Sequence, residues 1–550
     1  MRKNFLVILL LVSCLALYTV KNPSSVSSSN FKSITPAELS HEYDIIIAGG
    51  GIGGISAAIQ ASRMGVKVLV VEITNWLGGQ ATAAGVSNMD DLSDQMSGLY
   101  LEFMSKIENY YSRKGKSIHT TYWEISNKAF EPSIGKKILQ EMASGENSPD
   151  ILFFSEIVEV GKNNDTINSV IIQTPEGKRN VACKVLIDAT EYGDILPLTG
   201  ADYRAGNSLT PSINLDTMIQ DITWTAIIRK YPKGIPEHLK PKNPLPDYDR
   251  ARENYKRYVT KDGSDFEGIY PVKLPVNFVT HNAYRGLPDS FLPGNYDARK
   301  RNWPKITKTS VNWGNDYPGY YMWKKKYGLP VEYLENKTLR ASIERDALIK
   351  TLHFIYYVQN ELGENWSVDE NEYDYLPEAA KDLPAEWQEI ARHMPPIPYV
   401  RESRRLVGLH TLTSEELYKN SLGNEIHNPI AVGRYALDLH HSDTDNCMEK
   451  DLGEKAAFIQ EHSPQGNFQV PLDILIPLKV DGLIAAEKNL SMSRLAAGAL
   501  RLQPICMMTG QAAGVLAALS VQKGIPPREV KYEDVRRVLI EAGVNLSLKN

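Results

Sequence analysis

The apolar positions near the start of the chain change period twice within thirty residues. Tyr43–Ala48 is a short, largely apolar run of strand length, and a glycine cluster, Gly49–Gly54, follows at once. Ser56–Met64 then reads as a helix with a small-residue face. Gly65 ends it, and Val66–Glu72 is a second strand. Further on, Ile151–Val160, Thr166–Thr174 and Lys184–Thr190 are strand runs separated by polar, glycine-containing turns, which predicts a β-meander that returns to the core. Thr338–Leu362 carries apolar residues at helical spacing (Leu339, Ile343, Ala347, Leu348, Thr351, Leu352, Ile355). Tyr399–Gly408 is strand-like and rich in arginine. Near the C-terminus Asp481–Ala486 reads as a last core strand, and Gly510–Leu519 as a helix that opens on small residues.

The first of these units has a specific chemistry. Strand, G-x-G-x-x-G, helix, strand and terminal acid together form the βαβ unit that holds a dinucleotide. Gly49 permits a tight turn, Gly51 leaves room for a pyrophosphate, and Gly53 and Gly54 let the helix pack closely with its free N–H groups toward phosphate. Glu72 ends the second strand, where a carboxylate accepts hydrogen bonds from ribose hydroxyls and repels a 2′-phosphate. The loop Trp76–Thr82 then places Gly78 and Gly79, with Gln80, where a flavin-carrying dinucleotide needs a close-running backbone. FAD is therefore the expected cofactor.

Leu77–Gln80, Ile187–Thr190, Tyr399–Arg405 and Ser491–Gly514 together resemble the bacterial FAD-dependent oxidoreductases sometimes labelled "xanthan lyase", distant relatives of the fumarate-reductase and glucose-inhibited-division flavoproteins. The resemblance spans most of residues 42–530. It implies an α/β fold: a Rossmann-like, two-layer FAD-binding domain with a β-meander, interrupted by an inserted α+β substrate or cap domain. The expected divisions are 1–35 (export signal or anchor with a serine-rich linker), 36–205 (first part of the FAD domain), 206–395 (cap) and 396–550 (second part). Ile157 in the meander, Ala189 and Thr190 at the end of the returning strand, and Gly510, Gln511, Ala512 and Ala513 at the start of the C-terminal helix join the cofactor set. Glu191 stands where such flavoproteins usually have glycine.

Composition narrows the partners. Lys+Arg is 61 and Asp+Glu 66, a net charge of −5, which does not suit a nucleic-acid binder. The four cysteines (Cys14, Cys183, Cys447, Cys506) show no CxxC spacing. Arg2 and Lys3 precede the apolar run Phe5–Val20, shorter than the ~20 residues of a spanning helix, and Ser24–Ser29 follows as linker. This predicts export to the periplasm or cell envelope, with a possible tether through the N-terminus, and Leu11–Cys14 resembles a lipoprotein box.

The candidate chemistry lies in two segments. Period-two alternation in Tyr399–Gly408 puts Arg401 and Arg405 on one face, ready to clamp a carboxylate or stabilise reduced flavin; pairing with Glu402 is the alternative. His440, in Asp438–Asp443, is placed as acid/base beside the flavin, or as a structural histidine. No H-x-x-x-H spacing supports a metal, and none is expected. Aromatic clusters at Asn312–Tyr317 and Tyr320–Trp323 line a pocket under the cap or form its own core. The expected activity is hydride transfer between FAD and a small organic substrate, with a separate electron acceptor. Alternatives are a redox-neutral or polysaccharide-directed flavoenzyme and a non-catalytic FAD-binding module.

Overall fold

A computed structural model describes residues 31–548 apart from 94, 122–127, 259–284, 294–295, 301–305, 313–314, 320–327, 441–449 and 455–462. Residues 1–30, on which the expected export signal falls, and Trp313, Tyr320–Trp323, His441 and Cys447 lie outside the described residues.

An eight-stranded sheet organises the chain. Its parallel part runs Ser33–Ile34, Asp150–Leu152, Val68–Val71, Glu42–Ala48, Gly177–Asp188, with Leu483–Ala485 also paired to the last of these. Glu156–Asn163 and Thr166–Thr174 continue from the same strand as an antiparallel meander. Strand Gly177–Asp188 thus serves two layers. Its first half pairs with the meander, and Val185–Asp188 sits between Ile45–Ala48 and Leu483–Ala485. Burial follows the same division: Val185, Leu186, Ile187 and Asp188 are all buried, whereas buried and exposed positions alternate from Asn180 to Lys184. The fold class is the α/β one expected from the sequence.

Two expectations need correction. The run Ile151–Val160 is two strands, because Asp150–Leu152 belongs to the parallel sheet and only Glu156–Asn163 to the meander. Tyr399–Gly408 is strand only at Arg405–Leu406, so alternation along it does not set the direction of its arginines.

The segment between the sheet's fifth strand and Leu483 contributes a three-stranded antiparallel sheet, Lys308–Val311, Ala226–Lys230 and Trp366–Val368, and the helix Lys337–Asn360. Asn336 caps that helix, its side chain accepting from Thr338 and Leu339 N–H. Lys308, fully buried, joins this region to the segment before it: its Nζ lies 2.5 Å from Glu131, 2.5 Å from Asp369 and 2.9 Å from Glu372. A buried ammonium needs such partners, and burial among other carboxylates in turn pushes Glu372 up to about 7.

The helix Gln503–Lys523 lies against the helix Ile52–Arg63, the first helix of the βαβ unit. Among the described residues it is the one helix long and apolar enough to cross a membrane, but 94% of its apolar window is buried inside the protein, as befits a core helix. It begins at Gln503, so Gly510, Gln511, Ala512 and Ala513 sit in its interior and not at a ligand-facing end. Gly510 is there for packing: a Cβ would lie 2.2 Å from Gly53 O and 2.6 Å from Gly53 Cα. Gly514 meets Ala57 in the same way, at 2.4 Å from its carbonyl oxygen.

Gly510→Ala should therefore force the two helices apart. The expected loss is about 1–3 kcal/mol of unfolding free energy, read as a lowered urea midpoint. A midpoint equal to wild type would show that the helices have slack at this contact.

Candidate functional site

A cleft of about 520 Å³ opens at the carboxyl ends of the parallel strands. Its wall includes Gly49, Gly51, Glu72, Gly79, Ile157, Ala189 and Thr190 from the expected cofactor set, joined by Glu191, Tyr192 and Arg340. Trp224, Tyr375 and Pro396–Pro398 face them from the other side. Arg340 stacks on Tyr192 with its guanidinium carbon 3.9 Å from the ring centre and pairs with Asp194 at 2.9 Å.

The glycine turn has the geometry this position demands. Gly49 adopts φ +90°, and a Cβ on it would come 2.4 Å from Ala189 O. Gly54 packs its Cα face onto Gly49 O, where a Cβ would lie at 2.1 Å. The Gly78–Gly79 loop runs alongside: Gly78 N donates to Gly50 O at 2.8 Å, and Gly51 and Gly78 form a bridge. Gly78 and Gln80 support this loop from behind the cleft wall. Gln80 is fully buried and donates to Glu487 Oε1 at 3.1 Å and Arg501 O at 3.0 Å.

The carboxylates of Glu72 and Glu191 line the cleft, and that of Glu487 lies beside its glycine turn. Glu72 accepts from Gly50 N at 2.7 Å and from Thr74 N and Oγ1 at 2.8 Å each. A carboxylate has about four lone-pair sites, so a ribose hydroxyl can still bond there. Burial raises the Glu72 pKa despite these donors. Glu191 pairs through Oε2 with Lys488, while its buried Oε1 has no hydrogen-bond partner among the described residues. Such an acceptor on the wall of a cleft calls for a donor from a ligand, and the hydroxyls of FAD are donors. Glu487 accepts from Gly53 N at 2.7 Å, at the start of the helix Ile52–Arg63. Burial and the nearby Glu191 push it up to about 7, against the opposing effects of Lys488 and the Gly53 N–H. The residues present fit FAD: a glycine turn, an acid at the second strand and an unmatched acceptor line one cleft, although the Gly53 N–H, expected to be free for phosphate, is taken by Glu487.

Beside the cleft lies a charged cluster. Thr223 and Tyr399 are the chain neighbours of Trp224 and Pro398, which line the cleft, and they bond to each other through Thr223 N and Tyr399 O at 3.0 Å. The Asp316 carboxylate gathers Thr223 Oγ1 at 2.5 Å, Arg401 Nη2 at 2.8 Å and His440 Nδ1 at 2.7 Å. On the other side of the imidazole, Nε2 lies 3.2 Å from Asp438 Oδ2, and Asp438 also accepts from Arg501 at 2.9 Å. Arg501 in turn bonds to Tyr399 Oη, and Arg401 lies over the Tyr399 ring at 4.7 Å. Burial and Arg401 push the His440 pKa down, but Asp438 and Asp316 outweigh them, and the net shift is upward. His440, Arg501 and Arg401 in turn hold Asp438 well below the usual carboxylate range, against its burial. Lys350 donates to the Asp316 backbone carbonyl and is brought down to about 7 by burial.

Arg401 and His440 are thus brought together, and Arg405 is not. Its guanidinium pairs with Glu402 at 3.0 Å and donates to Gly206 O at 2.6 Å and Met492 O at 3.2 Å, while Arg494 takes the other oxygen of Glu402 at 2.9 Å. Arg405 is a buried structural cation, as its proximity to Glu402 in sequence allowed. Asp316, Arg501, Glu487 and Trp224 were missed as site residues. Asp316 and Arg501 stood in quoted segments, but nothing in their spacing ties them to His440.

The chain is 24% identical over 225 residues to a tRNA uridine 5-carboxymethylaminomethyl modification enzyme MnmG of Lactobacillus helveticus, covering 39% of this chain and 32% of that protein. It is 23% identical over 338 residues to the enzyme of the same name from Enterococcus faecalis, covering 57% and 51%. The chain therefore spans about a third to a half of these relatives. Among solved structures, the OxyS anhydrotetracycline hydroxylase of Streptomyces rimosus matches with 16% identity and TM-score 0.23, covering 36% of this chain and 41% of that one. A ternary complex of aklavinone-11 hydroxylase with FAD and aklavinone matches with 14% identity and TM-score 0.24, covering 36% and 40%. The description "FAD dependent oxidoreductase" fits residues 44–539, nearly the whole chain: the protein belongs to that family, and FAD is its cofactor.

Proposed function

We propose that the protein oxidises or reduces a small organic substrate held between the flavin cleft and the Trp224 side of the inserted region. The observation that carries this reading is the position of His440, fixed between Asp316 and Asp438 and linked to the cleft wall through Asp316 and Thr223, the chain neighbour of Trp224. Bound FAD would supply the two-electron chemistry, hydride acceptance or donation, with Gly49, Gly51, Glu72, Gly79, Ile157, Ala189, Thr190 and Glu191 holding it.

The chain's own residues manage the proton and the charge. Asp316, at 2.7 Å, holds His440 by Nδ1–H and fixes the ring. The Nε2 end has the longer contact, 3.2 Å to Asp438, and is the end that exchanges a proton with a substrate hydroxyl or amine. Arg401 keeps a positive charge beside Asp316 and so balances negative charge that develops in the pocket. Trp224, Tyr375 and Pro396–Pro398 keep water from one side of the cleft. The net charge of −5 supports a small-molecule partner over a nucleic acid, whatever the MnmG relatives act on.

His440→Gln should retain bound flavin and its absorbance, yet slow anaerobic flavin bleaching by a substrate found in a screen by roughly 10²–10⁴-fold. Bleaching at the wild-type rate would remove His440 from the reaction. The pH profile gives a second test. The raised His440 pKa keeps the imidazole protonated over a wider range, so oxidation that needs the neutral ring gains rate as pH rises through that pKa. Asp438 is one of the groups that raise it, so Asp438→Asn should move this limb to lower pH. An unmoved limb would mean that another group titrates there.

A further inference from the structure

In the segment between the strands Gly177–Asp188 and Leu483–Ala485, three side chains converge that no part of the proposed flavin chemistry uses. His238, Glu389 and His393 each offer a ligand atom, and these atoms all lie within 4.8 Å of one another. We propose that they form a site for a divalent transition metal of zinc type, which clamps the lip of the flavin cleft.

The argument rests on which atoms face each other. His393 Nδ1 lies 3.0 Å from the Tyr373 carbonyl oxygen, which can only accept, so Nδ1 carries the hydrogen. In the neutral ring the Nε2 lone pair then points at an acceptor: Glu389 Oε1 is 3.7 Å away. Two acceptors facing each other need a proton or a metal ion between them, and the convergence of His238 on the same point favours the metal. A backbone carbonyl holding the far nitrogen is also the support that metal-binding histidines ordinarily have. His238 has a comparable support, with Glu370 Oε2 at 3.1 Å from its Nε2. Glu389 and His393 are one helical turn apart at the end of the helix Ala385–Arg392, so their side chains share a face. Two imidazoles and a carboxylate suit zinc and leave a position for water. The competing cation is Arg392, whose Nε stands 3.9 Å from Glu389 Oε2, a loose contact that a metal can displace.

The site's place in the fold gives it a consequence. His238 lies in the turn Glu237–Leu239, and the helix bearing Glu389 leads directly into Pro396–Pro398 of the cleft wall. Trp224 Nε1 donates to Pro395 O at 3.1 Å, which continues the link to the other lining residue of this side. A bound metal would tie the turn to the helix and stiffen that wall. Sequence spacing cannot reveal such a site, because His238 and His393 are distant in the chain and meet only after folding.

The test uses the full-length, FAD-loaded protein, stripped with chelator and dialysed against micromolar zinc chloride. Wild type should retain one zinc per chain, and zinc should raise its melting midpoint. His393→Gln and His238→Gln should bind at least ~10-fold more weakly and lose the zinc-dependent rise, with flavin absorbance unchanged as the check on folding. Glu389→Gln serves as the second variant should either histidine change disturb flavin retention. No zinc retained by wild type, or retention undiminished in any of these variants, overturns the proposal.

Discussion

Two small-residue helices in the core meet backbone to backbone. The helix Gln503–Lys523 meets the helix Ile52–Arg63 at Gly510 against Gly53 and Gly514 against Ala57, with no side chain between them. The rest of the cleft depends on this contact. It seats the C-terminal part of the chain against the first turn of the βαβ unit, and Glu487 then reaches the Gly53 N–H from 434 residues away. The same approach lets Gln80 bridge Glu487 and the Arg501 carbonyl, and Arg501 carries the connection on to Tyr399 and Asp438. A packing constraint between two small-residue helices therefore leads, through four side chains, to the groups around His440.

Charge in this region is arranged in alternating layers. Glu191 pairs with Lys488, Glu402 lies between Arg405 and Arg494, and Asp316 and Asp438 flank His440 with Arg401 and Arg501 outside them. Buried charges persist only when paired and hydrogen-bonded. The layers also separate two jobs. Among the described residues, the Glu402 group bonds within itself and to the backbone of Gln220, Gly206 and Met492. The His440 group has a long bond and a side chain that keeps 17% of its exposure, which is why the proposed proton exchange is placed there.

Most of the cofactor half of the site was legible in the sequence because its determinants are local. The turn Gly49–Gly54, Glu72 and the Gly78–Gly79 loop follow one another within a single βαβ unit, and their spacing alone specifies where a dinucleotide lies. The helix Lys337–Asn360 was legible because its periodicity is unbroken, and the strand Thr166–Thr174 because polar, glycine-containing turns bound an apolar run. The C-terminal helix was placed too late because Gly510 and Ala512 look like an opening of small residues, when their smallness serves a packed interior. Arg405 was misplaced because alternation was assumed for a segment that is strand only at Arg405–Leu406. Asp316 was not identified because its partnership with His440 spans 124 residues and arises from the docking of separate segments. Chemistry assembled across the fold leaves no period to read.

The distance between Gly53 and Glu487 has a consequence for how the protein is made. At about 5–20 residues per second, a ribosome needs roughly 20–90 s to pass from one to the other. Throughout that interval the apolar flank of the helix Ile52–Arg63, buried in the finished protein from Ile52 to Ser62, has no partner from the C-terminal helix to cover it. The nascent chain must carry an unfinished nucleotide fold through most of its own synthesis, which makes shielding during translation a requirement of this architecture.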